Sequence, residues 1–352
     1  MRPHAPRAPV EDPVSSPQDP IPQFEDPSIH QRRIQVGPLS MHFAEAGEGP
    51  LVLLCHGFPE LAYSWRHQLP ALAAAGYHAV APDMRGYGQT DAPAPVDSYT
   101  VMHLVGDMIG LMDALGERQA VIVGHDWGSI VAWTAALLRP DRFRAVVGMS
   151  VPFMPRLPVR PTDMMKMMAG DRFFYVLYFQ EPGKAEAELD PNAREFMRAM
   201  LYTASGAVTK EHFKTAMELP KSAKFMDGMI RPEKLPAWLT EGDLEVYVSS
   251  FERTGFTGGL NWYRNFDRNW ELLAPFADLK VKVPALFVGG ARDAVVTGPE
   301  LEGEGPAVQM LPTFCEDLRG KVLIEGAGHW NQQEAPEETN AALLGFLEGL
   351  EG

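Results

Sequence analysis

Apolar positions along the chain follow two alternating periods. From Arg33 onward, short runs of aliphatic residues, each closed by Gly, Pro or Asp, read as strands. Arg33–Val36 and Met41–Ala46 form an opening antiparallel pair; Leu51–Cys55, Tyr77–Ala81, Ala120–Val123 and Phe143–Met149 follow. Between them the apolar residues fall at helical spacing. Leu69, Leu72 and Ala73 mark one helix. Leu104, Met108, Leu111, Met112 and Leu115 stripe a second over Tyr99–Leu115, and Ile130–Leu138 is a third. After Val151 the alternation stops. As far as Pro275 the chain is rich in Met, Phe, Tyr and Trp at helical spacing and gives no strand signal. Alternation resumes at Ala285–Gly289 and Val322–Glu325 and ends in a helix over Pro336–Leu350. The pattern predicts an α/β fold. Residues 30–150 and 276–352 make a doubly wound, mostly parallel sheet, and residues 151–275 a helical insertion after one strand.

Ahead of this pattern, residues 1–29 carry eight prolines among the first 27 positions and no periodic apolar face. Such a segment cannot offset its ordering entropy, so a disordered or surface-draped tail is expected. The charge balance narrows the partners. With 31 Lys+Arg against 46 Asp+Glu the net charge is −15, and no basic cluster occurs. A phosphate-binding footprint is absent, which argues against nucleic acid, and anionic lipid would be repelled. No apolar run approaches the roughly 18–20 residues that span a bilayer, and the N-terminus lacks a signal-peptide core. A cytoplasmic protein is expected. Cys55 and Cys315 are too few for a disulfide framework or a zinc site, and no metal or cofactor is expected.

The strongest chemical signal is Gly124-His125-Asp126-Trp127-Gly128, which follows a strand directly and opens a helix. Glycines on both sides of a central nucleophile permit the sharp turn of a nucleophile elbow, and the next residue's N–H becomes an oxyanion donor. The central residue here is Asp. A carboxylate suits displacement at saturated carbon, forming an ester with the enzyme. The alternative is that Asp126 caps the following helix. His329 lies in Gly326-Ala327-Gly328-His329-Trp330 after the last strand. Asp293 lies in Gly289-Gly290-Ala291-Arg292-Asp293 after the strand before it, where a turn or cap role is the alternative. Nucleophile Asp126, acid Asp293 and base His329 follow the chain order of an α/β-hydrolase, each at a strand's carboxyl end. His56-Gly57-Phe58-Pro59 supplies the second backbone donor, the N–H of Phe58, beside that of Trp127.

With these residues in place, the sequence resembles the soluble epoxide hydrolases of the α/β-hydrolase superfamily. The likeness runs from about residue 33 to 350. It covers His56–Glu60, Tyr63–Arg66, Asp83–Gly88, Gly124–Gly128, Tyr175–Gly183, Leu260–Asn265 and Gly328–Trp330. Mammalian members carry an extra N-terminal phosphatase domain; a short tail stands there in this chain, so that second activity is not expected. The resemblance implies that two tyrosines of the helical cap, Tyr175 and Tyr263, hold the epoxide oxygen. A ring oxygen leaving as an alkoxide needs a proton donor, and a phenol with a pKa near about 10 can serve. Tyr178 lies one helical turn from Tyr175, so spacing leaves open which of the two points inward.

The expected reaction is hydrolysis of an apolar epoxide to a vicinal diol, with water as the second substrate. Asp126 forms a hydroxyalkyl ester, and water activated by His329 and Asp293 hydrolyses it. A haloalkane dehalogenase shares this triad, but halide leaves without a proton, and that family usually carries Asn where Phe58 stands. A hydrolase-fold protein that only binds a ligand would need no nucleophile and base. The sequence leaves the oligomeric state open, a homodimer included.

Overall fold

The structure is a computed structural model that describes residues 24–298 and 302–350. Among these residues a single eight-stranded sheet forms. Its strands are β1 (His30–Val36), β2 (Leu39–Ala46), β3 (Leu51–Cys55), β4 (His78–Pro82), β5 (Ala120–His125), β6 (Phe143–Met149), β7 (Ala285–Gly290) and β8 (Leu318–Ile324). The spatial order is β1-β2-β4-β3-β5-β6-β7-β8. β2 runs antiparallel to both neighbours and every other pair is parallel. Parallel strands are covered on both faces, which is why β3, β5 and β7 are buried throughout and read as continuous apolar runs. The chain leaves β3 for β4 and returns to β5 on the other side of β3. The carboxyl ends of β3 and β5 therefore flank the crevice where such sheets place their ligands.

Helices α1 (Gln68–Ala74), α2 (Val101–Leu115) and α3 (Trp127–Leu138) alternate with the first strands. Between β6 and β7 lie α4 (Pro161–Ala169), α5 (Tyr175–Phe179), α6 (Glu186–Leu189), α7 (Ala193–Thr203), α8 (Lys210–Met217), α9 (Glu241–Thr254), α10 (Thr257–Arg264) and α11 (Phe266–Leu272). The β-structure described in this stretch is two isolated bridges, Arg172 to Pro220 and Val281 to Cys315. The C-terminal helices are α12 (Ala294–Thr297), α13 (Pro306–Phe314), α14 (Asn331–Glu334) and α15 (Pro336–Glu348).

Two apolar layers sandwich the sheet. On one face Leu69 and Leu72 of α1 and Leu343 and Phe346 of α15 meet Val52, Leu54, Val121 and Val123. On the other, Met108 of α2 and Val131 of α3 meet Leu53, Ile122 and Val146. This second layer continues without a break into Phe196, Leu244 and Trp262 of the insertion, so sheet and insertion share one core.

Some bounds differ from the sequence expectation. β1 starts at His30, not Arg33, because its early residues pair with β2 while pointing polar side chains outward, Arg32 to Glu45 at 2.7 Å. β8 starts at Leu318, not Val322; it is an edge strand on which Arg319 and Lys321 interrupt the apolar run. α13 begins at Pro306, whose ring suits a first helical turn, and was not expected. Most of the expected tail lies outside the described residues. Its last part is ordered against the sheet: Phe24 packs on Tyr63 with ring centroids 5.2 Å apart, and Ile29 is buried.

Candidate active site

β5 ends at His125, and the chain turns at Asp126 with φ 53° and ψ −118° into α3. This is a conformation L-residues rarely adopt. The flanking glycines are demanded by contact. A Cβ on Gly124 would lie 2.0 Å from the Gly128 carbonyl oxygen, and one on Gly128 would lie 2.0 Å from that of Cys55. Asp126 stands at the N-cap of α3 but makes no side-chain cap bond. Its Oδ1 instead accepts the Phe58 N–H at 2.9 Å, across the crevice from the end of β3. That loop is held by His56, whose Nε2 accepts the Met84 N–H at 2.9 Å while Nδ1–H donates to the Gly57 carbonyl at 2.9 Å. Burial lowers the His56 pKa, consistent with the neutral ring these bonds require.

The loops after β7 and β8 bring Asp293 and His329 to the same crevice. Asp293 does both things its position allows. Oδ1 accepts the Val295 N–H at 2.9 Å and caps α12, while Oδ2 lies 2.9 Å from His329 Nδ1. On the other side of the ring, His329 Nε2 is 3.5 Å from Asp126 Oδ2. Burial works to lower the His329 pKa, but the Asp293 charge and the contacts with Asp126 and Asp293 outweigh it and hold it well above the ordinary histidine value. The imidazole thus stands in a row between the side chains of Asp293 and Asp126.

Tyr175 opens α5 and Tyr263 lies on α10, with ring centroids 6.0 Å apart at 77°. Tyr263 is only 5% exposed and stands 5.2 Å from the Trp127 ring, edge to face at 85°. Tyr175 is enclosed by the walls but keeps 38% of its surface open, as a crevice lining does. Burial first, then the negative charge of Asp126, raises the pKa of both phenols, so both stay protonated. Tyr178, the other candidate on α5, points elsewhere: its hydroxyl donates to Glu188 Oε2 at 2.8 Å. One amide spans the two tyrosine helices, since Gln180 Nε2 donates to the carbonyls of Val176 at 2.9 Å and Tyr263 at 3.0 Å. Arg264 adds a bond from Nε to the Phe179 carbonyl at 3.0 Å.

A buried polar layer lies beneath the row. His125, next to Asp126, contacts Glu60 Oε2 through Nδ1 at 2.6 Å and the His329 carbonyl through Nε2 at 2.7 Å. Glu60 Oε1 also accepts from Gln332 at 2.8 Å and Gln333 at 3.2 Å. Desolvation raises the Glu60 pKa, but the charge of His125 and its hydrogen bond outweigh it and bring it to about 2. Ser150, at φ 60°, donates to the same His329 carbonyl at 2.8 Å. Among the described residues no group of His, Cys, Asp and Glu is arranged to hold a metal ion, and no helix is long and apolar enough to cross a membrane.

A family model for the α/β hydrolase fold matches residues 50–336. The chain is 47% identical to Epoxide hydrolase A of Mycobacterium tuberculosis, over 91% of this chain and 98% of that protein. Epoxide hydrolase 1 of Siraitia grosvenorii is 43% identical, over 91% and 98% of the two chains. Among solved structures, an epoxide hydrolase from an endophytic Streptomyces superposes with a TM-score of 0.89 at 46% identity, covering 93% of this chain and 97% of that one.

Proposed function

The chain belongs to the epoxide hydrolases of the α/β-hydrolase fold, and from that premise we propose that it opens apolar epoxides through a covalent ester on Asp126. The observation that carries this reading is the division between the two oxygens of that carboxylate. Oδ1 rests on the Phe58 N–H, where an ester carbonyl and later its oxyanion need a donor. Among the described residues no backbone N–H donates to Oδ2, which faces His329 and is left as the attacking atom. Oδ2 displaces the ring oxygen from one carbon, and Tyr175 and Tyr263 deliver a proton to that oxygen as the C–O bond breaks. Their raised pKa values keep the protons available. The product of this step is a hydroxyalkyl ester.

Esterification removes the charge from Asp126. His329 then loses one of the two carboxylates that hold its proton, passes that proton back to the phenolate left by ring opening, and becomes the base that takes a proton from water. The hydroxide adds to the Asp126 carbonyl carbon, the N–H groups of Phe58 and Trp127 stabilise the oxyanion, and collapse releases the diol. Asp293 keeps the imidazole oriented and supports its positive charge. Residues 151–275 serve as the cap that brings both phenols over the nucleophile. The dehalogenase alternative fits less well, because halide leaves without a proton and would give the two phenols beside Asp126 no task.

A single turnover in ¹⁸O-water tests the covalent step. The first diol should be unlabelled and the label should appear in the Asp126 peptide. Label in the first-turnover diol would mean direct attack by water.

A further inference from the structure

The loop that carries His329 is held from the insertion as well as from the sheet. Glu334 ends α14, and its carboxylate accepts three backbone N–H groups. Oε2 takes Gly206 at 2.8 Å and Gly328 at 3.1 Å, and Oε1 takes Trp330 at 3.0 Å. Two of these donors flank His329; the third belongs to the turn after α7. The same turn makes further bonds. The His329 N–H donates to the Ala204 carbonyl at 2.8 Å, Trp330 Nε1 to that of Leu201 at 2.9 Å, and Arg292 Nη1 to that of Gly206 at 2.8 Å. Arg292 is the neighbour of Asp293, so the acid loop reaches the turn too.

Glycines allow this approach. A Cβ on Gly206 would sit 2.0 Å from the Gly326 carbonyl oxygen, one on Gly328 would sit 2.3 Å from the Gly206 nitrogen, and one on Gly290 would sit 2.1 Å from the Gly328 carbonyl oxygen. Three bare backbones, from the acid loop, the base loop and the insertion, lie in direct contact with no side chain between them. Burial raises the Glu334 carboxyl pKa above its ordinary value despite its three N–H donors.

We propose that Glu334 is a positioning residue for ester hydrolysis: it seats the 204–206 turn of the insertion against the His329 loop, and the imidazole is aligned on water only while that turn is seated. The inference rests on the covalent reading given above. Misplacing a reacting group by about 1 Å can cost on the order of 10²-fold in rate. Among the described residues no hydrogen bond joins this turn to α5 or α10, so the step served by the tyrosines is independent of it. The two steps should therefore separate.

The test is single-turnover alkylation and hydrolysis with styrene oxide, the ester being followed by intact-protein mass. In Glu334→Gln an NH2 group replaces one acceptor oxygen and opposes at least one backbone N–H. Ester hydrolysis should slow about tenfold to 100-fold, while alkylation stays within about twofold of wild type. Arg292→Met removes only the bond to Gly206 and should give the same split at smaller size; it decides the matter if Glu334→Gln does not fold. An equal fall in both steps, or no change in either, overturns the proposal and leaves Glu334 a plain structural tie. Absence of any ester in the wild-type enzyme would instead overturn the covalent reading.

Discussion

At Asp126 one oxygen meets a backbone N–H and the other meets an imidazole that is itself backed by Asp293. The histidine between two carboxylates carries the pH behaviour of the site. Its folded pKa lies above the ordinary value of about 6.5, so this coupling stabilises the fold fully below that pH and the contribution is lost as pH rises through the folded pKa. Neutralising Asp126 removes one of the two supports. In Asp126→Asn the His329 pKa should fall by about 1–3, read from the imidazole protons in an NMR titration. An unchanged value would mean that Asp126 does not hold the proton. For the same reason acid should slow ester hydrolysis before it slows alkylation. These three residues were legible in the sequence because each sits in a glycine-flanked loop, and the glycines at 124, 128, 290 and 328 are forced by backbone contacts. Glu60 and His125 lie inside motifs read from the sequence but without a role there, and Ser150 and Glu334 lie outside every such motif. Their partners are distant in sequence, Gln332 to Glu60 being the clearest case, and no spacing announces them.

The elements that carry the proposed proton donors are short. α5 has five residues, too few to be stable alone, and is held by Gln180 and Arg264 to α10. Both phenols are therefore set by one clamp. Tyr175→Phe with Tyr263→Phe keeps the rings and removes the protons; alkylation should fall by about 10²–10⁴-fold, each single variant losing less, while hydrolysis of a preformed ester barely changes. Stopped-flow tryptophan fluorescence resolves the two steps, since Trp127 touches Tyr263. Wild-type ring opening in the double variant would remove these tyrosines from the mechanism. Helical spacing alone did not separate Tyr175 from Tyr178. Their positions on α5 are one turn apart, and what distinguishes them is Glu188, a residue of a different helix that takes the Tyr178 hydroxyl.

Taken whole, the molecule is a sheet with a helical layer resting on its carboxyl edge. The central strands were readable because burial on both faces demands continuous apolar runs. The outer strands were cut short because they are half-buried or exposed over most of their length and carry polar and charged residues where the central strands are apolar. The proposed nucleophile rises from the sheet and the proposed proton donors descend from the insertion. That opposition governs the configuration of the product. A carboxylate attacking from below an oxygen held from above must approach the carbon on the face away from its C–O bond, and the stereocentre inverts. Ester hydrolysis then cleaves the acyl–oxygen bond and leaves that carbon untouched. A symmetrical ring-fused epoxide such as cyclohexene oxide should give the trans diol alone, as chiral gas chromatography would show. A cis diol would place donor and nucleophile on the same side of the substrate.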